Sequence, residues 1–205
     1  MYAKKVAAIF DEAKKLQKQG TPVEIEARFG TIVNGAFKAG VSNERFRFIR
    51  EWMESSNLTT SNWSESIATF IGKYERCIIT KTGAKNITNI EKVEKKPVAN
   101  IVLKTNHPEG IAFKLCLYTE KPITPKTTGT SNVVRLRHRK SYSINSKGHD
   151  NTFSLDFTQV WQGTSERQVR ELHRASRDNK YEIEMELTNN EYLANMTSSY
   201  LVDSF

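Results

Sequence analysis

Cysteine is scarce in this chain: Cys77 and Cys116 are the two present. That excludes a disulfide framework and a cysteine-ligated zinc site. No apolar run approaches the ~18–20 residues a membrane helix needs. The opening stretch MYAKKVAAIFDEAKK is too charged for a secretory signal. Ten glycines and five prolines exclude collagen-like or linker-like composition. There is no G-x-G-x-x-G and no Walker-type loop, so a glycine-rich phosphate cradle is excluded. The four histidines show neither metal-ligand spacing nor a neighbouring nucleophile motif. Covalent catalysis therefore has no candidate, whereas metal-assisted hydrolysis has several. The expectation is a soluble, intracellular chain forming one domain over residues 1–205.

What is abundant is charge. A formal net charge of +8 calls for a polyanionic partner. Val6, Ile9, Phe10, Ala13 and Leu16 recur at helical spacing over 2–19, and Gly20 and Pro22 end that helix. A second helix follows Ser42 as N-cap and carries Phe46, Phe48, Ile49, Trp52 and Met53. Strand periodicity marks 23–29, 67–80, 86–96, 98–104, 111–119, 132–144, 152–161 and 180–188. Turn chemistry at 81–83, 107–110, 122–129 and 146–148 separates them. Residues 164–176 read as a short helix or a hairpin loop, and the stretch from Asn190 as helical. The pattern is mainly β (α+β): an antiparallel sheet or barrel flanked by a few helices.

The strands segregate charge by face. In VEIEARF, Glu24, Glu26 and Arg28 oppose Val23, Ile25, Ala27 and Phe29. In YEIEMEL, Glu182, Glu184 and Glu186 share a face, and in VVRLRHR so do Arg135, Arg137 and Arg139, with His138 on the other side. Lys114, Cys116, Tyr118 and Glu120 form a polar row on 112–120, and Asp156 and Thr158 one on 153–159. Same-face neighbours sit ~7 Å apart. Three glutamates so spaced repel one another unless a cation sits among them, and carboxylate oxygens bind hard divalent ions. A row of guanidinium forks suits a chain of phosphates. Solvated sheet faces intersperse opposite charges. A barrel with a charged lumen and apolar outer faces accounts for all five strands at once.

The ordered motifs VEIEARFG, FKAGVSNERF, KLCLYTEKPI, VVRLRHR, LDFTQV and YEIEMEL resemble the metal-dependent RNA 5′-triphosphatases of fungi, protists and large DNA viruses, the triphosphate tunnel metalloenzymes. The compact length is most like the triphosphatase domain of viral mRNA capping enzymes. The resemblance implies an eight-stranded antiparallel β-barrel forming a triphosphate tunnel. It implies a divalent metal, Mg²⁺ or Mn²⁺, held by Glu24, Glu26 and Glu186, with Glu182, Glu184 and Asp156 around its water shell. Glu120 would orient the attacking water, and Arg135, Arg137 and Arg139 would grip phosphates. Arg28, Arg76, Lys92, Lys114 and Thr158 would complete the substrate site, with Lys81 or Lys95 as substitutes on the middle strands. The implied reaction is γ-phosphate hydrolysis of pppRNA to ppRNA, with nucleoside triphosphates as further substrates. Guanylyltransferase and methyltransferase domains or subunits are the implied partners, in the nucleus or a host cytoplasm. No Lys-x-Asp-Gly guanylyltransferase signature is present. The rivals are a tunnel hydrolase of nucleotide, thiamine or inorganic polyphosphates, and a non-enzymatic basic β-barrel that binds nucleic acid.

Overall fold

The computed structural model describes residues 2–56, 58–71, 73–82, 86–105, 110–124, 131–146, 149–195 and 197. Helix α1 (Tyr2–Lys18) leads into the hairpin β1 (Val23–Val33) and β2 (Ala36–Ala39). Helix α2 (Asn43–Glu54) follows, then β3 (Ser64–Ile71), β4 (Glu75–Thr82), β5 (Asn86–Lys104), β6 (Ile111–Pro122), β7 (Ser131–Ser146) and β8 (His149–Gly163). Helix α3 (Glu166–Arg174), β9 (Asn179–Leu187) and α4 (Asn190–Asn195) complete the order. The strands run β1-β6-β5-β4-β3-β7-β8-β9, and β9 pairs back onto β1. Eight antiparallel strands thus close a barrel, and β2 lies outside it on the free edge of β1. Closure removes the unpaired edges that an open sheet of this length would expose.

Apolar faces point outward and are covered by helices. Val6, Ile9, Phe10 and Ala13 of α1 pack on Ile25, Ala27, Leu115 and Leu117. Phe46 and Met53 of α2 cover Tyr142, Leu155, Phe157 and Ile183. Phe48 and Trp52 of the same helix are exposed. Val169 of α3 seals Ile67, Val134, Leu136 and Trp161. Two helices begin on serine caps: the Arg45 N–H donates to Ser42 Oγ, and the Gln168 N–H to Ser165 Oγ, both at 3.2 Å. Such caps satisfy amide donors that have no partner within the helix. The cap at Ser165 resolves 164–176 in favour of a helix.

Three features depart from the expected strands. The span 67–80 is a hairpin, β3 and β4, turning at Lys73–Tyr74. Strand β2 was not expected. It follows Asn34 (φ 50°) and Gly35 (φ 77°), the two left-handed residues of a tight hairpin turn. The spans 86–96 and 98–104 form one strand, β5, whose register shifts between Pro97 and Ala99. A bulge suits proline, which has no amide to give the ladder. The turns expected at 81–83, 107–110, 122–129 and 146–148 fall largely outside the described residues.

Gly30 fixes how closely β2 approaches β1. A Cβ there would lie 2.2 Å from the Lys38 carbonyl oxygen and 2.6 Å from the Phe37 ring. Gly30→Ala is expected to cost about 1–3 kcal/mol of stability through overpacking. Urea denaturation tests this, and an unchanged midpoint would contradict the tight β1–β2 contact.

Candidate active site in the tunnel

The polar faces line a cavity of about 510 Å³ along the barrel interior. Register explains the convergence, because cross-strand partners share a face. Glu26 pairs with Glu186 and Arg28 with Glu184. Asp156 pairs with Glu184 and Thr158 with Glu182. Arg139 pairs with both Thr158 and Ser64. The lining includes Glu24, Glu26, Arg28, Arg76, Lys95, Glu120, Arg135, Arg137, Arg139, Glu182, Glu184 and Glu186. With Glu91, thirteen charged side chains from six strands therefore meet in one enclosed space.

Most are paired. Arg28 reaches Glu26 at 2.5 Å and Glu184 at 3.1 Å. Arg76 reaches Glu120 at 2.7 Å. Lys95 Nζ lies 2.6 Å from Glu24 Oε1 and 3.1 Å from Glu26 Oε2, bridging the two carboxylates. Arg135 binds Glu182. Arg139 donates to Asp156 at 2.7 Å, Thr158 Oγ1 at 3.0 Å and Glu184 at 3.4 Å. Asp156 and Thr158 are buried behind Arg139 and fix its fork, and Ser154 Oγ donates to Asp156 at 2.6 Å.

Arg137 is the exception. Its one hydrogen bond among the described residues goes to Ser66 Oγ at 3.2 Å. Burial, and then the charges of Arg139, Arg76 and Arg135, push its guanidinium down to about 9. A group normally charged at any accessible pH is held where charge is costly. An anion among these four arginines would remove that cost.

The opposite imbalance occurs at Glu186. Burial, and then the charges of Glu24 and Asp156, push its carboxyl up to about 8. Glu24 is raised mainly by burial and by its hydrogen bond with Glu120. Burial raises Glu120 as well, but that hydrogen bond and Arg76 carry it below the usual carboxylate range. Glu24 Oε2 is buried, with Arg76 Nη2 4.0 Å away and no basic donor within hydrogen-bond distance among the described residues. Hard oxygen donors, an unsatisfied buried oxygen and mutual repulsion suit a divalent cation. Among the described residues no three carboxylates already form an ion cage. Lys95 and Arg28 are drawn between them instead.

Two expected positions lie elsewhere. Lys92 pairs with Cys77, on the face opposite Arg76, so it does not join the cavity lining. Lys95 takes that place, as the substitute reading allowed. Lys114 pairs with Arg28 and so shares its face, but it is not among the residues lining the cavity. The Lys81 side chain is outside the described residues. Phe70 also lines the tunnel and was not anticipated. In SESIATFI apolar residues occupy both faces, so alternation carried no signal.

A family model described as "mRNA capping enzyme, beta chain" matches residues 71–200. The chain belongs to this mRNA capping enzyme beta-chain family. Its activity class is accordingly that of an RNA 5′-triphosphatase, a phosphoric-anhydride hydrolase of mRNA capping. No curated protein sequence matches the chain. The fold is shared with the S. pombe RNA triphosphatase Pct1, at a TM-score of 0.66 and 16% identity over 98% of this chain and 84% of that one. A second structure of Pct1, in complex with the Spt5 CTD, matches at TM-score 0.65 and 15% identity over the same shares. The Mimivirus capping enzyme triphosphatase matches at TM-score 0.58 and 16% identity over 94% of this chain and 90% of that one. Family membership and tunnel geometry both favour the capping reading over an exterior nucleic-acid stripe, since the three arginines point into the lumen.

Proposed function

We propose that residues 1–205 form one triphosphatase domain that hydrolyses the γ-phosphate of pppRNA, with the roles assigned below. The observation that carries these assignments is that one tunnel gathers Glu24, Glu26 and Glu186 together with Arg76, Lys95, Arg137 and Arg139. Glu24, Glu26 and Glu186 would hold a divalent cation, Mg²⁺ or Mn²⁺, with Glu182 and Glu184 lining the tunnel beside them. When bound, that ion supplies Lewis-acid neutralisation of charge on the phosphoryl oxygens. Arg76, Lys95, Arg137 and Arg139 grip the phosphates, and Arg28 and Arg135 extend the cationic wall. Asp156 and Thr158 hold the Arg139 fork in place. Glu120, fixed by Arg76, orients water in line with the γ-phosphorus. Water oxygen bonds to that phosphorus as its bond to the β–γ bridging oxygen breaks, giving inorganic phosphate and ppRNA. Preorganised charge is the main catalytic resource in such a site.

Contacts that address phosphate and not base let free nucleoside triphosphates serve as substrates too. The ppRNA product suits a guanylyltransferase, and later a methyltransferase, as capping partners. Phosphate release from pppRNA and ATP, with Mg²⁺ or Mn²⁺ against EDTA, tests the reading. Release unaffected by EDTA would contradict it.

The raised Glu186 carboxyl gives a pH signature. Its folded value of about 8 lies above its ordinary 4.5. It therefore contributes stability that is complete below pH ~4.5 and is lost as pH rises through ~8. Metal competes with the proton for the same oxygens, so stabilisation by metal grows over that window. Thermal melts at pH 5.5–8.5 should show a gap between Mn²⁺ and EDTA samples that widens with pH. A gap independent of pH would contradict the assignment of Glu186.

A further inference from the structure

The two ends of the tunnel differ. At one end the lumenal rows finish in Ser64, Thr80 and the exposed Glu91. At the other they finish in Arg28, Phe70, Arg135 and Glu182. Register defines this second end: Phe70 pairs with Val133, one same-face step beyond the Ala68–Arg135 pair, and Arg135 binds Glu182. Gln162, paired with Arg135, and Lys180, paired with Val160, continue the lumenal rows outward, and both are exposed. Lys114 extends the same end beside Arg28.

The mouth with Arg28, Arg135, Lys114 and Lys180 beside a lone Glu182 suits a polyanionic chain better than the one with Glu91. Phe70 stands at that mouth. It belongs to none of the three hydrophobic clusters beneath the helices, and it is only partly buried. The β3–β7 register shifts between Phe70 and Ile71. Irregularities of this kind re-aim side chains beside functional sites. An aromatic ring among charged groups offers a nucleoside something the arginines do not, a flat apolar face that accepts any base.

We propose that Phe70 is the nucleoside platform of the tunnel, stacking the first base of the RNA, and that Lys180 contacts the next backbone phosphate outside. The proposal rests on reading the tunnel as a triphosphate site. It assigns the Arg135 end as the RNA exit and leaves the γ-phosphate toward Glu120.

Three substrates separate the contributions: tripolyphosphate has no nucleoside, ATP has one, and pppRNA has a nucleoside and a chain. Phe70→Ala should raise KM for ATP and pppRNA about tenfold, the order expected for one lost stacking contact. Its kcat/KM for tripolyphosphate should stay within about twofold of wild type. Phe70→Trp should retain the nucleotide KM. Lys180→Ala should weaken pppRNA alone and lower the salt slope of its binding by about one. Phe70→Leu keeps an apolar side chain without the π-face, so it decides the matter if the alanine variant folds poorly. Equal losses on tripolyphosphate would make Phe70 a packing residue, and no loss on any substrate would remove the platform. Both results overturn the proposal. Wild-type hydrolysis of tripolyphosphate but not of pppRNA would instead overturn the RNA reading.

Discussion

Glu24→Ala and Glu186→Ala should each abolish phosphate release while leaving a folded barrel. The loss should exceed about 100-fold in kcat, or ~3 kcal/mol, the range seen when a key electrostatic group is removed. The fold should survive because neither carboxylate holds the barrel together. Without Glu24, Lys95 still binds Glu26 and Arg76 still binds Glu120. Without Glu186, the crowding with Glu24 and Asp156 that raises its carboxyl is relieved. Glu186→Gln should accordingly be at least as stable as wild type in EDTA, yet inactive in metal. Circular dichroism melts and a phosphate-release assay separate the two effects. Activity within tenfold of wild type in either alanine variant would make the metal assignment wrong.

Arg137→Met should be inactive and more stable than wild type. The half-buried guanidinium stands beside three other cations, with Ser66 Oγ as its described hydrogen-bond partner. Replacing an uncompensated buried charge with an apolar side chain of similar length removes a desolvation cost. The same replacement removes a charge aimed at the bound phosphates, so kcat/KM should fall by about 100-fold or more. Arg137→Lys, which keeps the charge and loses the fork, should stay within about tenfold of wild type. Added inorganic tripolyphosphate should raise the melting temperature of wild type and not that of Arg137→Met. A destabilised Arg137→Met variant would mean that the arginine has a structural partner.

Strict alternation made much of this site legible. In VEIEARF, VVRLRHR and YEIEMEL the charged residues occupy every second position, so one face follows from period alone. Closure into a tunnel, and with it the outward turn of Ile25, Leu136 and Ile183 under the helices, follows from asking where like charges can be offset. On β5 the run EKVEKK puts Lys92 and Lys95 on opposite faces, and the pairing of Val93 with Arg76 shows that Lys95 is the lumenal one. Strand β2 was missed because four residues carry too little pattern, although Asn34-Gly35 is a strong hairpin signal. The isolation of Arg137 has no sequence signature. Its row neighbours look identical, and only the positions of Glu182, Asp156 and Glu184 show which arginines are paired.

The central claim is that carboxylates and arginines in one lumen remove a terminal phosphate from an RNA end. The direct measurement is the fate of γ-labelled pppRNA with Mg²⁺ or Mn²⁺, resolved by chromatography. The account predicts labelled inorganic phosphate and an unlabelled diphosphate-ended RNA, with no release in EDTA and none from Glu24→Ala. Release of pyrophosphate leaving a monophosphate end, or release that persists in EDTA, would contradict it.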